Sequence, residues 1–305
     1  MSNKVLIAGP WIGELGWEVF SWQPMVRRIF QDGGYEKCVV YTGPGRSHIY
    51  RFAEVRELKD APKHESECMA WRGFGDLLDD YNATVTKMMN GVSVEFGGEN
   101  AVDLFSIKNI PKLNQPFYER GRPDLFYGDL IRDSLLKKLG VLNHHPTLPD
   151  VVLCVRDRAM SEFRNWPSNS WYDLIDALTP SYNVFILGGV RETWKYEQEQ
   201  PTQHVVDDGN AIDLTNKTTL DDCIEIFCNT RKGGLAVGGS TGLLHIASRC
   251  GMDHLVWGVE KNVVRYAETN WFGAANQVHH EWGWEPEPEQ ILECIDAYFA
   301  KEDMA

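Results

Sequence analysis

The chain has 305 residues, of which 43% are hydrophobic and 24% charged, and its formal net charge is -14. This is the composition of an ordinary globular protein, and the length is that of two domains rather than one core. The negative balance disfavours a polyanion such as DNA as the main partner unless a local basic cleft is built for it.

Seven cysteines (Cys38, Cys68, Cys154, Cys223, Cys228, Cys250 and Cys294) are scattered without a Cys-x-x-Cys pair. That pattern fits reduced, buried thiols in a cytoplasmic setting rather than a disulfide framework. No apolar run approaches the roughly 20 residues of a membrane span. The first apolar stretch, Val5 to Ala8, is too short for a signal-peptide core. A cytoplasmic protein without a membrane span is expected.

Val5 to Ala8 reads as a buried parallel strand, followed by Gly9-Pro10-Trp11-Ile12-Gly13-Glu14-Leu15-Gly16. Val19, Trp22, Val26, Ile29 and Phe30 then recur at helical spacing, and Gly33-Gly34 closes that helix. Cys38 to Tyr41 is a second strand, with Gly43-Pro44-Gly45-Arg46 behind it. Between 50 and 148 the pattern weakens. A helix over 73–89, a strand over 92–96, a proline-bearing loop over 109–123 and a helix over 130–139 are expected, and residues 143–149 are the linker candidate.

A second series of strands and helices begins at Val151. The strand 151–155 leads into Arg156-Asp157-Arg158. A helix over 171–178 follows, then a strand over 184–187 that ends in Gly188-Gly189-Val190-Arg191. A short strand over 211–214 precedes a helix over 220–229, capped by Thr218 or Thr219. Leu235-Ala236-Val237 then passes through Gly238-Gly239-Ser240-Thr241-Gly242 into a helical pattern carrying Leu243, Leu244, His245, Ile246 and Ala247. A strand over 254–258 and an amphipathic tail over 286–300 complete the chain. The fold class expected is α/β, with two Rossmann-like domains, 1–148 and 149–305, facing a central cleft. The last helix is free in this scheme to pack back on the N-terminal domain. Parallel sheets place ligand sites outside the carboxyl ends of their strands.

A strand, a small-residue turn and a helix in that order make an anion site. Glycine lets backbone approach a ligand, and the first N–H groups of the helix point at it with the helix dipole behind them. Ser240 or Thr241 can cap the helix and offer a hydroxyl, and His245 falls one turn in, on the side expected to face the ligand. Arg156, Arg158 and Arg191 follow strand ends and can reach a diphosphate. Trp257 and Glu260 follow the next strand and can touch a base or ribose. Gly189 and Gly239 bring backbone to the same edge. His144-His145 and His279-His280-Glu281 are read as non-metal sites, because adjacent histidines point apart and no third ligand is spaced for zinc. No Asp-x-Asp pair occurs.

The segment Asp213-Leu214-Thr215-Asn216-Lys217-Thr218-Thr219-Leu220, followed by Ala236 to Ser248, resembles the C-terminal half of the heptosyltransferase family, both in order and in separation. That family has the GT-B glycosyltransferase fold. The resemblance is specific over 210–260 and looser from 150. Over 1–30 it is limited to strand, glycine turn and helix, and between 45 and 148 there is none. It implies an inverting, metal-independent glycosyltransferase whose co-substrate is a nucleotide-diphosphate sugar, with no further cofactor. The diphosphate would lie against Ser240-Thr241-Gly242. An acidic residue after the first strand would be the base: Glu14 matches the family's Gly-acid pair through Gly13-Glu14, and Glu18 matches if the alignment is made on Pro24. Ser240 stands where the family has Asp, which alters the contact to the donor. The acceptor is open among a glycan, a lipid-linked sugar and a hydroxymethylated DNA base, the last disfavoured by charge. A sugar-nucleotide epimerase and a non-catalytic nucleotide- or glycan-binding protein are the alternative readings.

Overall fold

In the computed structural model the described residues are 4–13, 15–58, 78–98, 101–106, 145–159, 161–190, 211–230, 232–268 and 275–302. The chain divides into two compact units, Met1–Glu119 and Arg120–Ala305. Each is built on a parallel sheet.

In the first unit the strands are β1 (Val5–Ala8), β2 (Lys37–Thr42), β3 (Glu54–Glu57) and β4 (Val102–Phe105), in the order β3-β2-β1-β4. All four residues of β1 are buried, as an unbroken apolar run in a central parallel strand requires. A Cβ at Gly9 would lie 2.5 Å from the Tyr41 carbonyl oxygen, and its φ is 122°, so the exit from β1 accepts only glycine. The chain then winds through a short turn, Leu15–Trp17, and a π-helical segment, Glu18–Trp22, into α1 (Gln23–Asp32). Trp22 is buried between Trp11 and Phe105, with ring centroids 5.6 Å and 5.1 Å away.

The strand expected over 92–96 is helical instead. It is the last part of α2 (Leu78–Glu95). Tyr81, Met88 and Val92 are buried on one stripe while Val94 is 85% exposed, so the 3.6-residue period wins over the local valine alternation. The expected loop over 109–123 and helix over 130–139 lie outside the described residues.

The second unit holds β5 (Asp150–Cys154), α3 (Ser168–Leu178), β6 (Asn183–Leu187), β7 (Ala211–Asp213), α4 (Leu220–Thr230), β8 (Gly234–Gly239), α5 (Gly242–Arg249), β9 (Asp253–Trp257), α6 (Glu260–Glu268), β10 (Asn276–His279) and α7 (Pro288–Glu302). The sheet order is β10-β9-β8-β5-β6-β7, every pair parallel. Trp166, Trp171 and Trp257 meet at centroid distances of 4.7 to 5.7 Å, contacts that add about 0.5–1.5 kcal/mol each beyond burial. The apolar stripe of α7 (Ile291, Ile295, Tyr298 and Phe299) is buried in this same core. Asn183 ties the described part of the linker candidate to this unit. Its Nδ2 donates to the His145 and Leu148 carbonyls at 2.9 Å, and its Oδ1 accepts from the His145 amide at 2.9 Å.

Buried His254 sits beside Tyr266, with its Nδ1 3.4 Å from the Met252 carbonyl oxygen. Burial holds its imidazole down at about 4, only partly offset by the Met252 carbonyl. Below about pH 6.5 the unfolded chain takes up a proton that the folded chain refuses until pH about 4. Stability is therefore lost as pH falls through that window. We expect wild type to lose about 2 kcal/mol more than His254→Gln between pH 7 and pH 5, read from urea midpoints. Equal losses in the two proteins would remove His254 as the cause.

Candidate functional site

In the second sheet the chain runs outward from β5 in one direction through β6 and β7, and in the other through β8, β9 and β10. The topological switch point is thus between β5 and β8, where open parallel sheets bind ligands outside the strand ends. Two loops meet this point, the one after β5 and the one after β8.

The strand that leads into the turn packs tightly on β5. A Cβ at Gly238 would lie 2.8 Å from the Cys154 carbonyl oxygen. Thr241 is the N-cap of α5, in extended conformation, with Oγ1 accepting from the Leu244 amide at 3.5 Å. The first N–H groups of the helix, at Gly242 and Leu243, have no acceptor within it. The carbonyl of Thr241 accepts from the Tyr266 hydroxyl at 2.8 Å, which fixes the cap peptide.

Ser240 does not offer its hydroxyl as expected. It is buried, its Oγ donates to the Asn262 carbonyl at 3.1 Å, and its amide donates to the Trp257 carbonyl at 3.0 Å. Its own carbonyl accepts from Arg164 Nη2. Ser240 therefore holds the turn to α6 and to the β5 loop, while Thr241 and Gly242 remain at the partly exposed helix start. His245 is likewise turned inward. It is buried and stacks on Tyr266, with centroids 4.3 Å apart and planes at 3°, so it braces the cap from behind. Trp257 is 1% exposed within the tryptophan cluster, which removes it from contact with a base or ribose. Glu260 is exposed in the first turn of α6.

In the loop after β5, Asn165 is the hub. Its Oδ1 accepts from Arg156 Nη1 and from the Arg158 amide, the latter at 3.2 Å, and its Nδ2 donates to the Arg158 carbonyl at 2.9 Å. Arg156 also donates to the Ser161 carbonyl at 3.1 Å, which makes it a loop-former, whereas Arg158 has an exposed side chain. Arg164 links this loop to the turn. Its guanidinium carbon lies 4.9 Å over the Trp284 ring while Nη2 reaches Ser240. No local pattern announces Tyr266 or Asn262. After β6, Gly189 is exposed and open, and Asn216 pins the following residue, exchanging hydrogen bonds of 2.8 and 3.0 Å with the Val190 backbone. Of the two cap candidates for α4, Thr219 is the one used, in a reciprocal box with Asp222. Arg191 lies outside the described residues.

In the first unit Gly13 has φ 155°, and Glu14 lies outside the described residues. Glu18 is fully buried at the head of the π-helical segment, a local form frequent at functional sites. Its carboxylate accepts from Thr42, from Arg46 and, at 2.7 Å, from Tyr50. Burial raises its pKa above the ordinary value, against the pull of Arg46, Thr42 and Tyr50.

No family model matches the sequence, and no curated protein matches it by sequence. Solved structures do match in fold. The E. coli ADP-heptose LPS heptosyltransferase II is 12% identical, with 98% of this chain and 99% of that one covered and a TM-score of 0.57. A glycosyl transferase family 9 protein from Veillonella parvula is 11% identical, with 100% and 90% covered and a TM-score of 0.54. The fold of this chain is that of these glycosyltransferases, the GT-B class expected from the sequence. No helix among the described residues is long and apolar enough to cross a membrane.

Proposed function

We propose that the chain is an inverting, metal-independent glycosyltransferase that moves a sugar from a nucleotide-diphosphate sugar to a hydroxyl acceptor. The observation that carries this reading is the Thr241-capped start of α5 at the switch point, braced by Tyr266 and joined to the β5 loop by Arg164. The fold likeness supports it, and the ADP-heptose in the name of one neighbour supports a nucleotide-diphosphate sugar as donor class. In the mechanism, Glu14 removes the proton from the acceptor hydroxyl. The oxygen attacks the anomeric carbon as its bond to the diphosphate breaks. The charge gathering on the diphosphate meets the Gly242 and Leu243 amides, and Arg158 from the neighbouring loop. Such donors act most strongly where they are fixed before the reaction, and the bonds holding Thr241 and Ser240 serve that end.

The test is a thermal-shift screen of nucleoside diphosphates and nucleotide sugars, followed by nucleotide release with and without candidate hydroxyl acceptors. A transferase binds a donor and releases nucleotide only when an acceptor is present. Donor consumption without acceptor would favour an epimerase, and binding without release a non-catalytic binding protein. No shift with any nucleotide would overturn the reading.

A further inference from the structure

The sequence His279-His280-Glu281, set aside above as a metal site, is joined in space by Cys294. His279 ends β10 and Cys294 lies on α7. Cys294 Sγ is 3.7 Å from His279 Nε2, and His279 Nδ1 is 3.2 Å from Glu281 Oε1. The imidazole lies flat on Trp282, with centroids 3.7 Å apart and planes at 5°, which fixes the ring plane. The two ring nitrogens face different partners, so the groups do not converge as metal ligands would. Among the described residues no group of three His, Cys, Asp or Glu could hold a metal ion. A thiol, a base within reach and a carboxylate orienting that base make the arrangement that activates a sulfur nucleophile.

Access separates this cysteine from the others. Among the described residues Cys38, Cys154, Cys223, Cys228 and Cys250 are buried and Cys294 is half-buried. Burial first, then Glu293 and Glu281, hold its thiol above the ordinary range, so the sulfur rests protonated and needs a base to react. Glu281 is exposed, with 57% of its side chain accessible, and Glu293, which precedes Cys294, is exposed as well. A rim of this sign repels anions and attracts cations.

We propose that Cys294, His279 and Glu281 form a second, nucleophilic site that takes a small disulfide carrying no negative charge. His279 accepts the Cys294 proton as the sulfur attacks one sulfur of the disulfide. The S–S bond breaks, a mixed disulfide forms on Cys294, and the departing thiolate recovers the proton from His279. One thiol and one disulfide are consumed and one of each is formed, so no further oxidant enters. A thiolate leaving group needs no oxyanion hole, only the base and access to the sulfur. The site is independent of the glycosyltransferase reading.

The test treats the full chain with cystamine or with glutathione disulfide and locates the first modification by peptide mass mapping. We expect it at Cys294. The cationic reagent should be favoured by about tenfold after each rate is divided by that on the urea-unfolded chain, and by less in about 1 M salt. His279→Gln should slow the reaction roughly 100-fold. It should also make the rate depend more steeply on hydroxide, because the thiol then has no neighbouring base. The other titratable groups around the pair are Glu281, Glu293 and His280, whose Nδ1 is 4.0 Å from Glu281. Glu281→Gln should fall between the two, and Cys294→Ser should lack the fast phase with its melting temperature unchanged. If His279→Gln does not fold, the ratio of folded to unfolded wild-type rates at Cys294 decides alone. The proposal fails if Cys294 reacts no faster folded than unfolded, if another cysteine is modified first (Cys68, outside the described residues, included), or if His279→Gln keeps the wild-type rate and hydroxide dependence.

Discussion

Glu14→Gln is expected to lower acceptor-dependent nucleotide release by about 10²–10⁴-fold and to leave the melting temperature where it was. Glu18→Gln, four residues on, is expected to keep release within a few-fold of wild type. A general base must come within hydrogen-bond reach of the proton it removes, and the Glu18 carboxylate is enclosed. It is fully buried and already accepts from Thr42, Arg46 and Tyr50. An amide of the same size keeps an oxygen for Arg46, and the Thr42 and Tyr50 hydroxyls can rotate to accept from its nitrogen, so it disturbs little. Truncation is another matter. Glu18→Ala leaves the Arg46 guanidinium, 24% exposed in its side chain, and two hydroxyls without their acceptor, at a cost of about 3 kcal/mol. Glu18 is a positioning residue for the segment that follows β1, and its removal should appear in denaturation before it appears in turnover. Because its folded pKa is raised, the Glu18 contribution is fully present below the ordinary carboxylate pKa and is lost as pH climbs through the folded value. Glu18→Gln should lack that slope. If instead Glu18→Gln loses as much release as Glu14→Gln while folding normally, the base assignment moves to Glu18.

The strands that carry the site were legible because each is a short apolar run buried on both faces, as in Val151 to Cys154 or Leu235 to Val237. The half-exposed strands were not. β3 reads Glu-Val-Arg-Glu and β10 reads Asn-Gln-Val-His, and neither has an apolar face to declare itself. The turn at Ser240-Thr241-Gly242 was legible because its chemistry is local: small residues, then a helix. What supports it was hidden, because Arg164, Asn262 and Tyr266 reach it from 76, 22 and 25 residues away. Side-chain direction was hidden for the same reason. Ser240 and His245 have residue types that suit a ligand, and only the packing of α6 shows that both turn away from the helix start. Trp257 ends a strand whose sequence does not say which face the ring takes, and the cluster with Trp166 and Trp171 decides it. The linker candidate has the composition of a hinge, yet Asn183 binds its described part as firmly as a turn.

Gly188→Ala and Gly189→Ala, one residue apart and identical in chemistry, are expected to differ by about 3 kcal/mol in the stability of the second unit. Gly188 has φ 154°, and a Cβ there would lie 2.2 Å from the Val155 carbonyl oxygen, which belongs to backbone and cannot swing aside. That backbone is itself fixed, because the Val155 amide donates to the Leu187 carbonyl at 2.8 Å. Alanine must therefore either strain φ or push the exits of β5 and β6 apart, costs of about 1–3 kcal/mol each. A Cβ at Gly189 meets nothing within 4 Å, so that variant should stay within about 0.5 kcal/mol of wild type. In calorimetry the first substitution should lower the second unit's transition by roughly 10 °C and the second by no more than about 2 °C. The same displacement should weaken nucleotide binding in Gly188→Ala, because the Gly188 carbonyl accepts from the Asn216 amide at 2.9 Å and Asn216 in turn holds Val190. Parting β5 from β6 shifts the loop that carries Arg158 relative to the start of α5. Equal melting temperatures for the two variants would show that the strand exits yield more easily than this packing implies. Loss of stability without loss of nucleotide binding would show that the ligand does not depend on the β5 loop at all.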